Sequence, residues 1–384
     1  KTRVDLIRNI RAAMKKKNLI IFGPGPEAIK MAPLVNQFLG DARFETRVCL
    51  IGYAQDFRDQ VLAFFKITPT YDLSFIQSNQ SLYSLTGDII DGLQPILEEF
   101  KPDYVFVNGD TTSSMASSIA SFYSGAKVCD IAAGLRAQNK HTPFPAEINR
   151  QITGRISDFH FAPTKAYKKN LLQENVQWQD IEVTGNMAID ALLQGVALAD
   201  TWEDPEIEAL KTIVTAAQKL ILVTENSRAN YGQGFVNLCQ ALQQLAQDNP
   251  GVQIIYPVRL KPHVQKTVAL LFEGLPNIQI VAPLDYPAFV WLLNKAHVII
   301  TDRADVQEEA PSLGKPVLVL SDIAERPEAV AAGTVLLVGT NTDKIRKETQ
   351  ELLDNPAAYA AMSALQNPYG EGLASQKIIE FISN

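Results

Sequence analysis

Short runs of aliphatic residues recur along this chain, and each is followed by a longer stretch with helical spacing. They lie near Leu19 to Phe22, Thr46 to Ile51, Tyr104 to Val107, Val128 to Ile131 and Phe159 to Ala162. A second series lies near Leu220 to Val223, Gln253 to Tyr256, Ile278 to Val281, Val298 to Ile300, Val317 to Leu320 and Val335 to Leu337. An apolar run too short for a helix is best buried on both faces of a parallel sheet, with the intervening helix as its crossover. The pattern therefore predicts an α/β protein of two Rossmann-like, doubly wound domains with right-handed connections. The acidic, Trp-containing segment from Ala199 to Pro205 separates the two series, and no repeat of about 20 to 50 residues is visible.

Composition narrows the function. At 384 residues the chain can bury two cores, and a net charge of -7 argues against a general nucleic-acid binder. No uninterrupted apolar stretch reaches the length of a membrane span. Cys49, Cys129 and Cys239 are odd in number and scattered, which suits reduced, buried thiols rather than a disulfide framework. His141, His160, His263 and His297 form no cluster with cysteines, so no metal site is expected, and each reads as structural or exposed. No secretory signal pattern is visible, which makes the cytoplasm the expected location. The first 17 residues carry Lys1, Arg3, Arg8, Arg11, Lys15, Lys16 and Lys17 against Asp5 alone, and read as a basic helical extension docked on the body or meeting an anionic surface.

The segment from Thr301 to Val317 holds the densest information. Ala296 to Ile300 reads as a buried strand, Asp302 to Gly314 as a loop feeding a helix, and Pro316 to Leu320 as the next strand. A helix that begins past a strand's carboxyl end turns unpaired N–H groups toward a crevice where phosphate is favoured. Glu308 and Glu309 follow, close enough for one carboxylate to reach a ribose diol, although acidic residues near a helix start are favourable without any ligand.

This frame, followed by Glu325-Arg326-Pro327-Glu328-Ala329 and Gly333-Thr334, resembles the non-hydrolysing UDP-N-acetylglucosamine 2-epimerases. Further family-like stretches are Pro26 to Pro33, Gly109-Asp110-Thr111-Thr112, Ala133-Gly134-Leu135-Arg136, Thr184-Gly185-Asn186, Tyr256-Pro257-Val258 and Asn367-Pro368-Tyr369-Gly370. They run in family order from about Asn18 onward. The resemblance implies a GT-B fold, with a first Rossmann-like domain over 18–190 and a nucleotide-binding one over 191–366. It also implies a C-terminal helix over 367–384 that returns to the first domain, and a sugar nucleotide bound in a cleft facing both domains. It implies an isomerase of cell-envelope polysaccharide biosynthesis, a homodimer, that interconverts UDP-GlcNAc and UDP-ManNAc by anti elimination of UDP and syn readdition. That chemistry needs acid and base groups on both sugar faces and a cradle for the departing diphosphate, but no redox cofactor.

Carried over position by position, the resemblance makes Asp110 the first catalytic aspartate, with Glu147 as a second candidate. Arg136, Arg150, Asn186, Arg303 and Glu309 are the candidate substrate contacts, Glu309 as the match to the family's ribose-binding glutamate. Other family site positions are changed here. Gly25 stands in for an arginine, Ala132 and Ala146 for catalytic glutamates, and Asn226 for a histidine. Arg303, Ala304 and Asp305 replace a Ser-Gly-Gly run, and Gly52-Tyr53-Ala54-Gln55 replaces an effector-loop motif. Glu147 points about 100° away from Ala146 on a shared helix. Asp110 reads equally well as a helix N-cap, and Arg136 and Arg150 as partners in an interdomain salt bridge. Arg303 either compensates the charge of Asp305 or pairs with it and plugs the site. Each lost acid-base or cationic group slows such a reaction by about two to four orders of magnitude, though not multiplicatively. The residues thus leave open an epimerase with reduced turnover, a nucleotide-sugar-binding protein or scaffold of the same fold, and a glycosyltransferase, for which no acceptor-base signature is present.

Overall fold

A computed structural model of the chain describes residues 15–383 except 24, 53–55, 74–79, 138, 216–217, 226–231 and 259–261. Residues 1–14 of the basic extension, Tyr53 to Gln55 of the effector-loop motif, Asn226 and the side chain of His263 lie outside the described residues. Contact density divides the chain into two compact units, Lys1–Gln194 with Gly370–Asn384, and Gly195–Tyr369.

The first unit is built on strands β1 (Lys16–Phe22), β2 (Phe44–Ile51), β3 (Tyr71–Leu73), β4 (Tyr104–Asn108), β5 (Lys127–Ile131), β6 (Phe159–Ala162) and β7 (Ile181–Val183). They form a parallel sheet in the order β3-β2-β1-β4-β5-β6-β7. Ile20 in β1 lies between Val48 of β2 and Phe106 of β4, all three buried, which is why these runs read as continuously apolar. Leu19, Ile21, Val105 and Val107 pack with Ile89, Leu93, Leu97 and Phe100 of the helix Leu82–Phe100. Side chains of this size each contribute about 1.5–3 kcal/mol on full burial. β3 and β7 escape the sequence reading because each is a three-residue edge strand interrupted by an acid, Asp72 or Glu182, at its centre.

The helix Ala374–Ser383 belongs to this first unit. Phe381 packs edge-on against Phe159 and Phe161 of β6, and Lys16 donates to the carbonyl of Ile382 at 2.6 Å. At the start of the helix, the buried Asp190 carboxylate accepts from Ala374 N at 3.1 Å, Ser375 N at 2.9 Å and Ser375 Oγ at 2.6 Å.

The second unit repeats the plan. β8 (Lys219–Thr224), β9 (Val252–Pro257), β10 (Ile278–Val281), β11 (Val298–Thr301), β12 (Val317–Val319) and β13 (Val335–Leu337) form a parallel sheet in the order β10-β9-β8-β11-β12-β13. Ile221, Val223, Ile254, Tyr256 and Ile300 share its core with Leu238, Leu242 and Leu245 of the helix Gln233–Asp248. In each sheet the strand order reverses beside the first strand, between β1 and β4 and between β8 and β11. Ligands of open α/β sheets bind outside the carboxyl ends of strands at such a reversal. Cys49, Cys129 and Cys239 are free and buried, and burial pushes the thiols of Cys49 and Cys239 up to about 12. No helix among the described residues is long and apolar enough to cross a membrane.

Candidate active site

At the reversal point of the first sheet, β1 ends at Phe22 and the chain turns through Gly23 and Gly25 into the helix Pro26–Gly40. Gly25 has φ 69° and ψ -123°, a conformation closed to side-chain-bearing residues. A cation at this position therefore requires a differently shaped loop, not only a different side chain. At the second residue of the helix, Glu27 folds back to accept Gly23 N–H at 2.6 Å. Burial raises its pKa, the Thr111 hydroxyl and the Gly23 N–H pull it back down, and the charge of Asp110 raises it again. Glu27 thus ties the loop after β1 to the loop after β4.

Asp110 lies just past β4, and it is not the N-cap. Thr111 caps the helix Thr112–Ser124, its hydroxyl accepting from Ser114 N at 3.1 Å. The Asp110 carboxylate is freed from that duty and forms an ion pair with Arg150. Asn149 donates to the Asp110 carbonyl at 2.9 Å, fixing the loop from the same helix, Ala146–Ile156. Arg150 also donates to Glu147 at 3.1 Å, so one guanidinium spans two carboxylates. Glu147 is wholly buried and accepts two more bonds, from Ala137 N at 2.9 Å and Gln151 at 3.0 Å. A carboxylate so enclosed acts as a fastener between the 137 segment and the helix. Asp110, with 39% of its side chain exposed, is the member of this group that solvent or a ligand can reach.

Ala132 follows β5 with φ 62°, a left-handed conformation that costs a non-glycine residue about 1–2 kcal/mol. Ala146 opens the helix behind Pro145. Both are partly exposed methyl groups without a titratable atom. Arg136 does not join Arg150. It makes a two-pronged pair with Glu174 at 2.7 and 2.8 Å, donates to the Leu135 carbonyl at 2.7 Å, and exposes only 4% of its side chain. Arg136 and Arg150 pair with Glu174, Asp110 and Glu147, all within the first unit, where the sequence allowed an interdomain salt bridge. Asn186 is buried and its carboxamide oxygen accepts from Ala188 N at 2.9 Å, at the start of the helix Met187–Ala199.

The second unit has its own reversal point, where the hydroxyls of Thr224 (β8) and Thr301 (β11) lie 2.7 Å apart. Glu225 follows β8 and accepts from the Tyr256 hydroxyl. Burial pushes its carboxyl up to about 7, the Tyr256 hydrogen bond lowers it and the charge of Asp302 raises it. After β11, Arg303 N–H donates to Thr301 Oγ1 at 2.9 Å, and its guanidinium grips Asp305 at 3.1 and 2.5 Å. The guanidinium carbon sits 4.8 Å from the centroid of the Phe289 ring. Asp305 in turn accepts Val306 N–H at 3.0 Å, within the short helix Ala304–Glu309. Burial disfavours the Arg303 charge, but Asp305 above all, with Glu309 and Asp302, more than offsets this and raises its pKa. Of the two glutamates, Glu308 is buried against Arg326, and its carbonyl accepts from Asn367 at 2.7 Å. Glu309 is partly exposed, and its charge is felt by Arg303 and Tyr286.

A family profile described as UDP-N-acetylglucosamine 2-epimerase matches residues 37–383. The chain is 45% identical over 371 residues to the UDP-N-acetylglucosamine 2-epimerase of Salmonella typhimurium, covering 96% of this chain and 98% of that one. The chain belongs to the UDP-N-acetylglucosamine 2-epimerase family. Among solved structures, the Neisseria meningitidis UDP-GlcNAc 2-epimerase bound to UDP-GlcNAc shares 42% identity, with a TM-score of 0.81 over 96% of this chain and 100% of that chain. A Listeria monocytogenes structure described as a UDP-N-acetylglucosamine 2-epimerase shares 39% identity, with a TM-score of 0.89 over 96% of both chains. The architecture is accordingly the GT-B-like two-domain α/β fold of these epimerases.

Within this epimerase fold, the structure adds residues that sequence reasoning passed over as site members. Glu27 was visible only as part of a family-like stretch, although its spacing of one helical turn from Gly23 permits the bond observed. Thr111, one residue beyond Asp110, carried a capping signal as good as that of the aspartate. Glu225 gave no local sign, since its burial depends on Tyr256, distant in sequence.

Proposed function

We propose that this chain binds UDP-N-acetylglucosamine and interconverts it with UDP-N-acetylmannosamine, with turnover slowed by the residues at 132, 146 and 226. The observation that carries this reading is Asp110, a solvent-accessible carboxylate at the carboxyl end of β4, held by Arg150. In the forward step a base takes the proton from sugar carbon 2, the bond from carbon 1 to UDP oxygen breaks, and a double bond forms between the two carbons. Readdition returns UDP to carbon 1 and a proton to the other face of carbon 2. Asp110 is the base we assign, since an accessible carboxylate can both accept and return a proton. Arg150 holds its carboxylate in place, and Glu147 positions Arg150. In the second unit Glu309 is assigned to the ribose hydroxyls, and Arg303 faces the phosphates. Asn186 and Arg136 support their loops in this scheme, through a helix cap and a pair with Glu174. The relative from Neisseria meningitidis, bound to UDP-GlcNAc, supports the choice of substrate. A homodimer in the cytoplasm is the setting we assign, and sedimentation analysis tests the dimer.

A second reading, binding without turnover, is favoured by the methyl groups of Ala132 and Ala146, which leave Asp110 without a partner acid from those positions. Incubation with UDP-GlcNAc in deuterated water separates the two. Appearance of UDP-ManNAc and of deuterium at carbon 2 supports turnover. Absence of both, with UDP still binding by calorimetry, supports the binder. Absence of all three refutes both.

A further inference from the structure

We infer that Asp305 is an internal competitor for Arg303, so that the second unit gains little affinity from the diphosphate of a ligand and recognises the nucleoside part instead. The inference rests on the reading above that this unit receives a uridine nucleotide. Two guanidinium nitrogens, Nε at 3.1 Å and Nη2 at 2.5 Å, point at the two oxygens of one carboxylate, the forked geometry with which arginine also binds phosphate. The same carboxylate takes the N–H of Val306 at 3.0 Å, and Phe289 covers the guanidinium face. One side chain therefore holds both the arginine edge and an adjacent backbone donor. The competitor is tethered two residues from its arginine, so it acts at an effective concentration that a dissolved anion must overcome. Asp302 and Glu309 lie close enough to act on Arg303 as well, so its guanidinium already meets more than one carboxylate. The pair is nevertheless within reach of solvent, with 32% of the Arg303 and 47% of the Asp305 side chain exposed, so exchange of one anion for another needs no unfolding.

The test is calorimetric titration of the full chain with uridine and with UDP, for the wild type, Asp305→Asn, and Asp305→Asn combined with Arg303→Met. Asparagine keeps an oxygen for Val306 N–H while removing the charge, so the loop has a route to its native fold, which circular dichroism and thermal melting verify. Wild type is expected to bind uridine and UDP within about tenfold of each other. Asp305→Asn is expected to tighten UDP by about tenfold or more, the worth of a charge-assisted contact, and to leave uridine unchanged. Adding Arg303→Met is expected to remove the gain. Uridine binding with UDP unaffected by Asp305→Asn overturns the proposal alone, as does a gain that survives Arg303→Met. Failure of every variant to bind either ligand overturns the nucleotide-binding reading along with it.

Discussion

Asp130 is a buried acid whose removal has a calculable signature. It sits in β5, 4% exposed, with Val107 and His160 as its neighbours in the flanking strands. Burial pushes its carboxyl from the ordinary 3.8 up to about 7, and the charge of Arg136 pulls it only partly back. A group whose folded pKa lies above its unfolded value favours the protonated native state. Its stabilising contribution is complete below about pH 4, is lost as pH rises toward 7, and stays constant above. At about 1.4 kcal/mol per pH unit, the interval from 3.8 to about 7 corresponds to on the order of 4 kcal/mol. Asp130→Asn removes the titration while preserving shape. Urea unfolding of both proteins across this range, followed by far-UV circular dichroism, should show the variant gaining on the wild type by about 1.4 kcal/mol per pH unit up to neutrality, then running parallel. The difference curve is needed because His160 works in the other direction. Burial first, and then Arg136, lower its pKa to about 4, so its contribution grows as pH rises to its ordinary 6.5. A constant offset between variant and wild type at every pH would refute the reasoning.

Other predictions concern the supports of the site. Arg150→Met leaves the wholly buried Glu147 without its cation and should cost about 3–5 kcal/mol, measured by the urea midpoint; an unchanged midpoint would make the pair dispensable. Gly134→Ala places a methyl carbon 2.4 Å from the backbone oxygen of Tyr167 at a residue with φ 94°, and should lower stability by at least about 2 kcal/mol in thermal unfolding. Asn186→Ala removes the acceptor for Ala188 N–H and should cost about 1 kcal/mol, with local hydrogen exchange rising first in the helix Met187–Ala199.

The architecture was legible because parallel strands buried on both faces leave uninterrupted apolar runs, as in Leu19 to Phe22 and Val298 to Ile300. A three-residue edge strand broken by a central acid leaves no such record, which hid Tyr71–Leu73 and Ile181–Val183, whereas the equally short edge strand Val335–Leu337 is all apolar and was visible. Side-chain partnerships divide by distance along the chain. Arg303 and Asp305 are two residues apart, and their pairing could be anticipated from that spacing. Arg136 finds Glu174 at a separation of 38, and Arg150 finds Asp110 at 40, so only the folded sheet determines which carboxylate each arginine meets. The cap offers a finer case, since Asp110 and Thr111 carry similar local signals and the structure separates them by one residue.

The return of the helix Ala374–Ser383 to the first sheet also sets an order of assembly. Asp190 meets the N–H groups of Ala374 and Ser375 across separations of 184 and 185 residues, with the whole of the second unit between them. A chain growing from its amino end presents this acid, and the aromatic surface of Phe159 and Phe161, long before their partners exist. During synthesis the second unit can close while the first still waits for residues 374–383, so the element made early is the one completed late.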